Sequence, residues 1–138
     1  MLFGKRKRTI NRILIVEDEP LVAFDNEHFL REAGFDIVAT TDRVEEALRF
    51  IDSEGLHLVL ADIRLSDGSG LDVARAARDR GIPLLFVTGQ CPPEARELAL
   101  GVLNKPYGNR DLVAAIDTID AKIAGRTVKR LPPGLDLF

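Results

Sequence analysis

The sequence predicts a doubly wound α/β domain, a five-stranded parallel sheet with helices on both faces. Two observations carry this. Short, wholly apolar runs recur along the chain, and between them apolar residues fall at helical spacing. A run that is apolar at every position suits a strand buried on both faces, as in a parallel sheet covered by crossover helices.

Residues 13–16 are the first such run. After Pro20, Val22, Phe29, Leu30 and Ala33 share a helical face that Gly34 ends. Residues 36–40 read as the second strand. Val44, Ala47, Leu48 and Ile51 follow at i, i+3, i+4 and i+7, with Asp42 and Glu45 spaced as in a capping box. The third strand is expected over 56–61, and Leu71, Ala74 and Ala77 mark the next helix. The fourth strand is expected over 83–87, and residues 94–100 have room for only a turn or two of helix, started by Pro92 and Pro93. The fifth strand is expected over 101–103, and Leu112, Ile116, Ile119 and Ile123 define a final helix. The domain therefore spans 12–124. A basic tail at 1–11 (Lys5, Arg6, Lys7, Arg8) is expected to be solvated. A tail at 125–138 is expected to be mobile, with Leu135 and Phe138 available to dock on a partner.

Composition narrows the function. A chain of 138 residues, 46% hydrophobic and 30% charged, is long enough for one real core. A net charge of −3 argues against bulk nucleic acid as a partner. The single cysteine, Cys91, permits no internal disulfide and fits a reducing compartment. No apolar run approaches the ~20 residues that span a membrane, and Leu2 excludes a myristoylation signal. The expectation is a cytoplasmic protein with neither nucleic-acid nor membrane partners.

In parallel sheets, ligands bind beyond the carboxyl ends of the strands. The polar residues there are Glu17-Asp18-Glu19, Asp62, Thr88 and Lys105. Carboxylates gathered in one place repel unless they are protonated or share a cation. Hard oxygen donors suit Mg²⁺. Asp62 can act as a nucleophile and form an acyl phosphate. Lys105 can neutralise phosphoryl oxygens and Thr88 can donate a hydrogen bond to one, which is most of what phosphoryl transfer asks of a protein.

These residues lie in a recognisable series. Val-Glu-Asp-Glu-Pro at 16–20, Ala-Asp-Ile-Arg-Leu-Ser-Asp-Gly-Ser-Gly-Leu-Asp at 61–72, Phe-Val-Thr-Gly at 86–89 and Asn-Lys-Pro at 104–106 resemble the receiver domain of two-component response regulators. The resemblance implies a flavodoxin-like strand order 2-1-3-4-5 and Asp62 as phosphoacceptor. It implies Mg²⁺ held by Asp18, Asp62 and the backbone carbonyl of Arg64, with Glu17 acting directly or through water. It also implies phosphate contacts from Thr88 and Lys105, a cis bond between Lys105 and Pro106, and a sensor histidine kinase or histidine phosphotransferase as donor. Phe86-Val87-Thr88-Gly89 after Pro83 further resembles single-domain receivers with a Phe-Ala-Thr-Gly motif, which pair with kinases of the HWE or a related type, often in stress signalling.

The chain departs from the family pattern twice. Many receivers carry Tyr or Phe three residues before the lysine, where this chain has Val102, and the segment between Thr88 and Val102 is short. Both departures lead us to expect a different readout, centred on order and disorder in residues 89–100. At the rim, Arg64 is expected to be solvated and Gln90 either orients water or serves the loop. His28 and His57 lie away from the strand ends and are expected to be structural, and Cys91 is expected to be an ordinary loop thiol. Two other function classes compete. A haloacid-dehalogenase-type phosphatase would carry an acid where Arg64 stands, and also a cap domain. A binding module that ignores phosphate is favoured only by Val102. A downstream protein is expected but nothing in the sequence names it, and no turnover of a substrate is expected.

Overall fold

The computed structural model describes residues 8–53 and 55–138. Lys5, Arg6 and Lys7 lie outside the described residues. The elements in chain order are β1 (Arg12–Val16), α1 (Pro20–Glu32), β2 (Asp36–Thr41), α2 (Val44–Ser53), β3 (Leu58–Ala61), β4 (Arg64–Leu65), β5 (Gly68–Ser69), α3 (Gly70–Asp79), β6 (Leu84–Thr88), a 3₁₀ turn at Pro93–Glu97, β7 (Gly101–Asn104), α4 (Asn109–Ile123) and β8 (Leu135–Leu137). The main sheet runs β2-β1-β3-β6-β7-β8. Its first five strands are parallel and have the flavodoxin-like order.

Period-two alternation on strands buried on both faces makes two cores. Ile13 and Ile15 of β1 join Leu30, Leu60, Leu85, Leu112 and Ile116 under α1 and α4. Leu14 and Val16 point the other way and join Ala47, Ile51, Val73, Ala77 and Phe86 under α2 and α3. Alanines at 47, 74 and 77 let the second pair of helices lie close to the sheet.

Three features differ from the sequence reading. First, the sheet is not five-stranded and wholly parallel. The segment expected as a tail adds β8 antiparallel to β7, with Leu135 buried in the first core. A three-residue strand is too short to give a periodic signal, and Pro132-Pro133-Gly134 in front of it reads as a loop. Second, Asp42 does not cap α2. Asp67, from the turn joining β4 and β5, accepts from the N–H groups of Val44 (2.5 Å) and Glu45 (3.2 Å), while Asp42 accepts from the Ser66 hydroxyl at 3.1 Å. Long-range caps of this kind leave no local spacing to read. Third, the basic N-terminal stretch is docked where it is described. The Arg8 guanidinium donates to Asp117 Oδ1 at 2.8 Å and to the Ala33 carbonyl at 2.6 Å, and lies 4.3 Å from the centre of the Phe35 ring.

His57 has a structural role, whereas His28 lies on the solvent-exposed face of α1. His57 Nδ1 accepts from the backbone N–H groups of Asn11 and Arg12, both at 3.0 Å, and His28 stacks on Phe24. Among the described residues, no helix is long and apolar enough to cross a membrane.

A buried carboxylate closes the amino end of the sheet. Asp120 of α4, 2% exposed, accepts from the backbone N–H groups of Thr9 (2.8 Å) and Ile10 (3.0 Å) and from the Thr9 hydroxyl. Burial alone would raise the Asp120 pKa, but these three hydrogen bonds and the nearby Arg126 hold it below the ordinary 3.8. Asp120→Asn is expected to lower stability by about 1–3 kcal/mol at neutral pH. A depressed carboxylate adds stability that is full above its unfolded pKa and is lost as pH falls through the folded one. Denaturant titrations of the two proteins at several pH values should therefore converge below about pH 4.

Candidate functional site

Four of the five parallel strands deliver a polar group to the carboxyl edge of the sheet. Glu17 follows β1, and its N–H donates to the Thr41 carbonyl at 2.9 Å, which turns its side chain inward to 3% exposure. Asp62 follows β3, and its N–H donates to the Val16 carbonyl at 2.9 Å. Thr88 ends β6, and Lys105 follows β7 with its N–H on the Thr88 carbonyl at 2.9 Å. The Lys105–Pro106 bond is cis. Beyond it, Tyr107 and Asn26 of α1 share reciprocal hydrogen bonds of 2.8 and 3.0 Å, which tie the loop after Lys105 to the first helix.

The centre of the site is one ammonium among three carboxylates. Lys105 Nζ lies 2.8 Å from Asp62 Oδ2, 2.9 Å from Glu17 Oε1 and 2.9 Å from Glu19 Oε1. The other Asp62 oxygen accepts from the Ile63 N–H at 2.7 Å. Oxygens of Glu17, Asp18, Glu19 and Asp62 all lie within 4.8 Å of one another. Four carboxylates facing one lysine leave an excess of negative charge, and all the donors are hard oxygens. This donor set fits Mg²⁺.

The surroundings sort the charges. Burial pushes Glu17 up to about 7 despite its bonds to Lys105 and to the Glu19 N–H, so Glu17 is the acid that takes a proton first. Burial pulls Lys105 the other way, but the hydrogen bonds it donates to Asp62, Glu19 and Glu17 outweigh that and raise its pKa above the ordinary range. Lys105 therefore stays charged.

Above these residues opens a cleft of about 710 Å³, lined by Asp18, Asp62, Arg64, Thr88, Gln90 and Lys105 among others. Every candidate read from the sequence thus reaches one cavity, except that Glu17 lies beneath it. Arg64 contributes from β4, whose two-residue pairing with β5 holds the turn after Asp62 in place. The Thr88 hydroxyl donates to the Gln90 carbonyl at 3.2 Å, and so points along the loop that forms the far wall. Cys91 lines the same wall, and burial pushes its thiol up, away from thiolate reactivity. Val102 is buried against Phe86 and Ala95, so the short 3₁₀ segment packs over a small residue here.

Sequence reasoning missed two contributors. Glu19 was read as part of the acidic run but not as a partner of Lys105, because its position on the rim depends on how α1 starts. Gly70 carries no chemistry, yet it lets α3 start directly against the backbone of Asp62. Its N–H donates to the Ile63 carbonyl at 2.6 Å, and a Cβ at this position would overlap the Asp62 carbonyl oxygen. The signal was present as Gly in the run 61–72, but only the close approach of α3 explains it.

The family model for the response regulator receiver domain matches residues 13–117. The chain belongs to this receiver family. Among curated relatives, the transcriptional regulatory protein PdtaR of Mycobacterium tuberculosis is 32% identical over 112 residues, covering 77% of this chain and 55% of PdtaR. The sensory transduction protein RegX3 of Mycobacterium bovis is 34% identical over 113 residues, covering 78% of this chain and 49% of RegX3. The chain thus spans about half the length of the curated relatives it matches. Among solved structures, the response regulator PhyR from Brucella abortus superposes with a TM-score of 0.70 at 31% identity, covering 86% of this chain and 51% of that one. A CheY-like receiver domain from Methanospirillum hungatei gives 0.72 at 27% identity, covering 85% and 96%.

Two outcomes follow for this receiver. Gly70→Ala is expected to destabilise the protein by about 2–4 kcal/mol, read by denaturant unfolding, because backbone and not a mobile side chain must yield. Lys105→Met is expected to be less stable than wild type at neutral pH in metal-free buffer by about 1–3 kcal/mol, the loss shrinking as pH falls through 7 and Glu17 protonates. Millimolar Mg²⁺ should raise the melting temperature of this variant more than that of wild type.

Proposed function

We propose that this receiver takes a phosphoryl group from the phosphohistidine of a sensor kinase or a histidine phosphotransferase onto Asp62 and passes the signal on by protein contact or relay. The reading rests above all on Lys105 Nζ, 2.8 Å from Asp62 Oδ2 in a cleft ringed by carboxylates. Asp18, Asp62 and the Arg64 carbonyl, with Glu17 beneath, would hold Mg²⁺. When bound, this ion supplies positive charge at the developing phosphoryl oxygens.

The chain's own residues divide the remaining work. Asp62 is the nucleophile: a carboxylate oxygen bonds to phosphorus as the nitrogen–phosphorus bond of the donor breaks and the imidazole leaves with the electron pair. Lys105 holds a phosphoryl oxygen, and Thr88 gives up its bond to the Gln90 carbonyl to donate to another. Glu17, half-titrated near neutrality, tunes the net charge beneath the nucleophile. Arg64 and Gln90 on the rim control how water reaches the acyl phosphate. Nothing in this arrangement turns over a separate substrate: with Arg64 two residues after Asp62, the acid of a haloacid-dehalogenase-type phosphatase is missing. A kinase of the HWE type and a cytoplasmic location are part of the same proposal, supported by Phe86-Val87-Thr88-Gly89 and by the single cysteine.

Intact-mass spectrometry after incubation with acetyl phosphate and Mg²⁺, and with a panel of purified kinases, tests the proposal. The expected result is a gain of one phosphoryl group that is lost in Asp62→Ala and in EDTA. No gain under any of these conditions would instead favour a binding module with a receiver fold.

A further inference from the structure

The basic run near the start of the chain has no part in the phosphoacceptor cleft. Lys5, Arg6, Lys7 and Arg8 lead directly into Thr9, and no other Ser or Thr of the sequence follows four consecutive basic residues. Thr9 is exposed and precedes β1. It therefore stands at the amino end of the sheet, opposite the strand ends that carry Asp62 and Lys105. Cations clustered before a hydroxyl complement the acidic substrate groove of a basophilic Ser/Thr protein kinase, where they fix the register of the acceptor.

The work of this hydroxyl in the folded chain makes its position consequential. The Thr9 hydroxyl and the Thr9 N–H both donate to Asp120, and the Ile10 N–H donates to the same carboxylate at 3.0 Å. Asp120 is buried, and so is Ile10, which belongs to the first core. A phosphoryl ester on Thr9 removes the hydroxyl proton and sets a charge of about −1.5 to −2 beside that carboxylate. Like charges at hydrogen-bond distance repel strongly where water is excluded. The three bonds share one acceptor residue, so they are lost together.

We propose that Thr9 is a modification site for a basophilic Ser/Thr kinase, and that its phosphorylation unfastens residues 8–11 from α4. Thr9 Oγ bonds to the γ-phosphorus of a nucleoside triphosphate as the bond to the bridging oxygen breaks. The nucleoside diphosphate leaves with the electron pair, and the hydroxyl proton passes to the carboxylate base of the kinase. Residues 8–11 form neither helix nor strand, and segments of that kind open locally. Opening exposes the acceptor together with the basic residues before it, Arg8 leaving its bond to Asp117. The phosphoryl group then prevents the clasp from closing again. The cleft at the other end of the sheet keeps all its residues, so Thr9 is an input independent of Asp62.

The test uses the full-length Asp62→Ala chain, which cannot form an aspartyl phosphate. It is incubated with ATP, Mg²⁺ and a panel of purified basophilic Ser/Thr kinases. Intact mass, site mapping, amide exchange and melting temperature are then read on the same sample. The expected result is one acid-stable phosphoryl group on Thr9, absent when Thr9→Val is added and retained with Thr9→Ser. Exchange of the Thr9 and Ile10 amides should speed up by at least about tenfold. The melting temperature should fall by about 3–6 °C. Asp120→Asn, which weakens the clasp and leaves the acceptor in place, should gain the phosphoryl group faster. No gain at Thr9 with any kinase of the panel would overturn the inference, as would phosphothreonine with unchanged exchange and melting temperature. Neither result touches the role of Asp62, which this chain lacks.

Discussion

One ammonium group keeps the carboxyl edge of this sheet together. Lys105 stands between Asp62, Glu17 and Glu19, all within 2.9 Å of its Nζ. Without it, two carboxylates exposed by less than a tenth of their surface would face each other across strand ends fixed by the β1–β3 ladder. The backbone cannot spread to relieve that repulsion, because Val16 and Asp62 share a hydrogen bond and α3 begins directly on the Asp62 carbonyl. The protein thus stores negative charge at one place and balances only part of it, which is the condition for drawing in a divalent cation.

Much of this was legible in the sequence, for identifiable reasons. The runs at 13–16, 58–61 and 83–87 have no polar position, and a strand covered on both sides tolerates that. Once the strands are known, the parallel topology sends their carboxyl ends to a single edge, so Asp62, Thr88 and Lys105 converge without any knowledge of loop geometry. What escaped was non-local. Asp67 caps a helix that precedes it by more than a dozen residues, Arg8 lies across Phe35, and Asp120 receives the amides of Thr9 and Ile10. Each depends on where two distant segments meet. β8 escaped for the opposite reason: its pairing is dictated by a bare edge and a missing Cβ on β7, and both belong to the acceptor rather than to the strand.

The segment between Thr88 and Val102 shows how one departure in sequence becomes a change in architecture. The 3₁₀ turn at Pro93–Glu97 places Ala95 in the same buried cluster as Val102, on the face of β7 beneath α2 and α3. The loop is therefore compact and carries Gln90 and Cys91 along the cleft at its start and Arg96 towards Phe138 at its end. Wall and edge are parts of one short stretch of chain.

The clasp between Thr9 and Asp120 joins residues 111 positions apart. It can form only after α4 has been synthesised and released. Until then β1, the strand on which both neighbours pair, lacks the carboxylate that anchors its entry. Contacts of such long sequence separation slow folding and delay the point at which a nascent chain becomes resistant to proteolysis. For this domain, commitment to the native state waits for the arrival of α4.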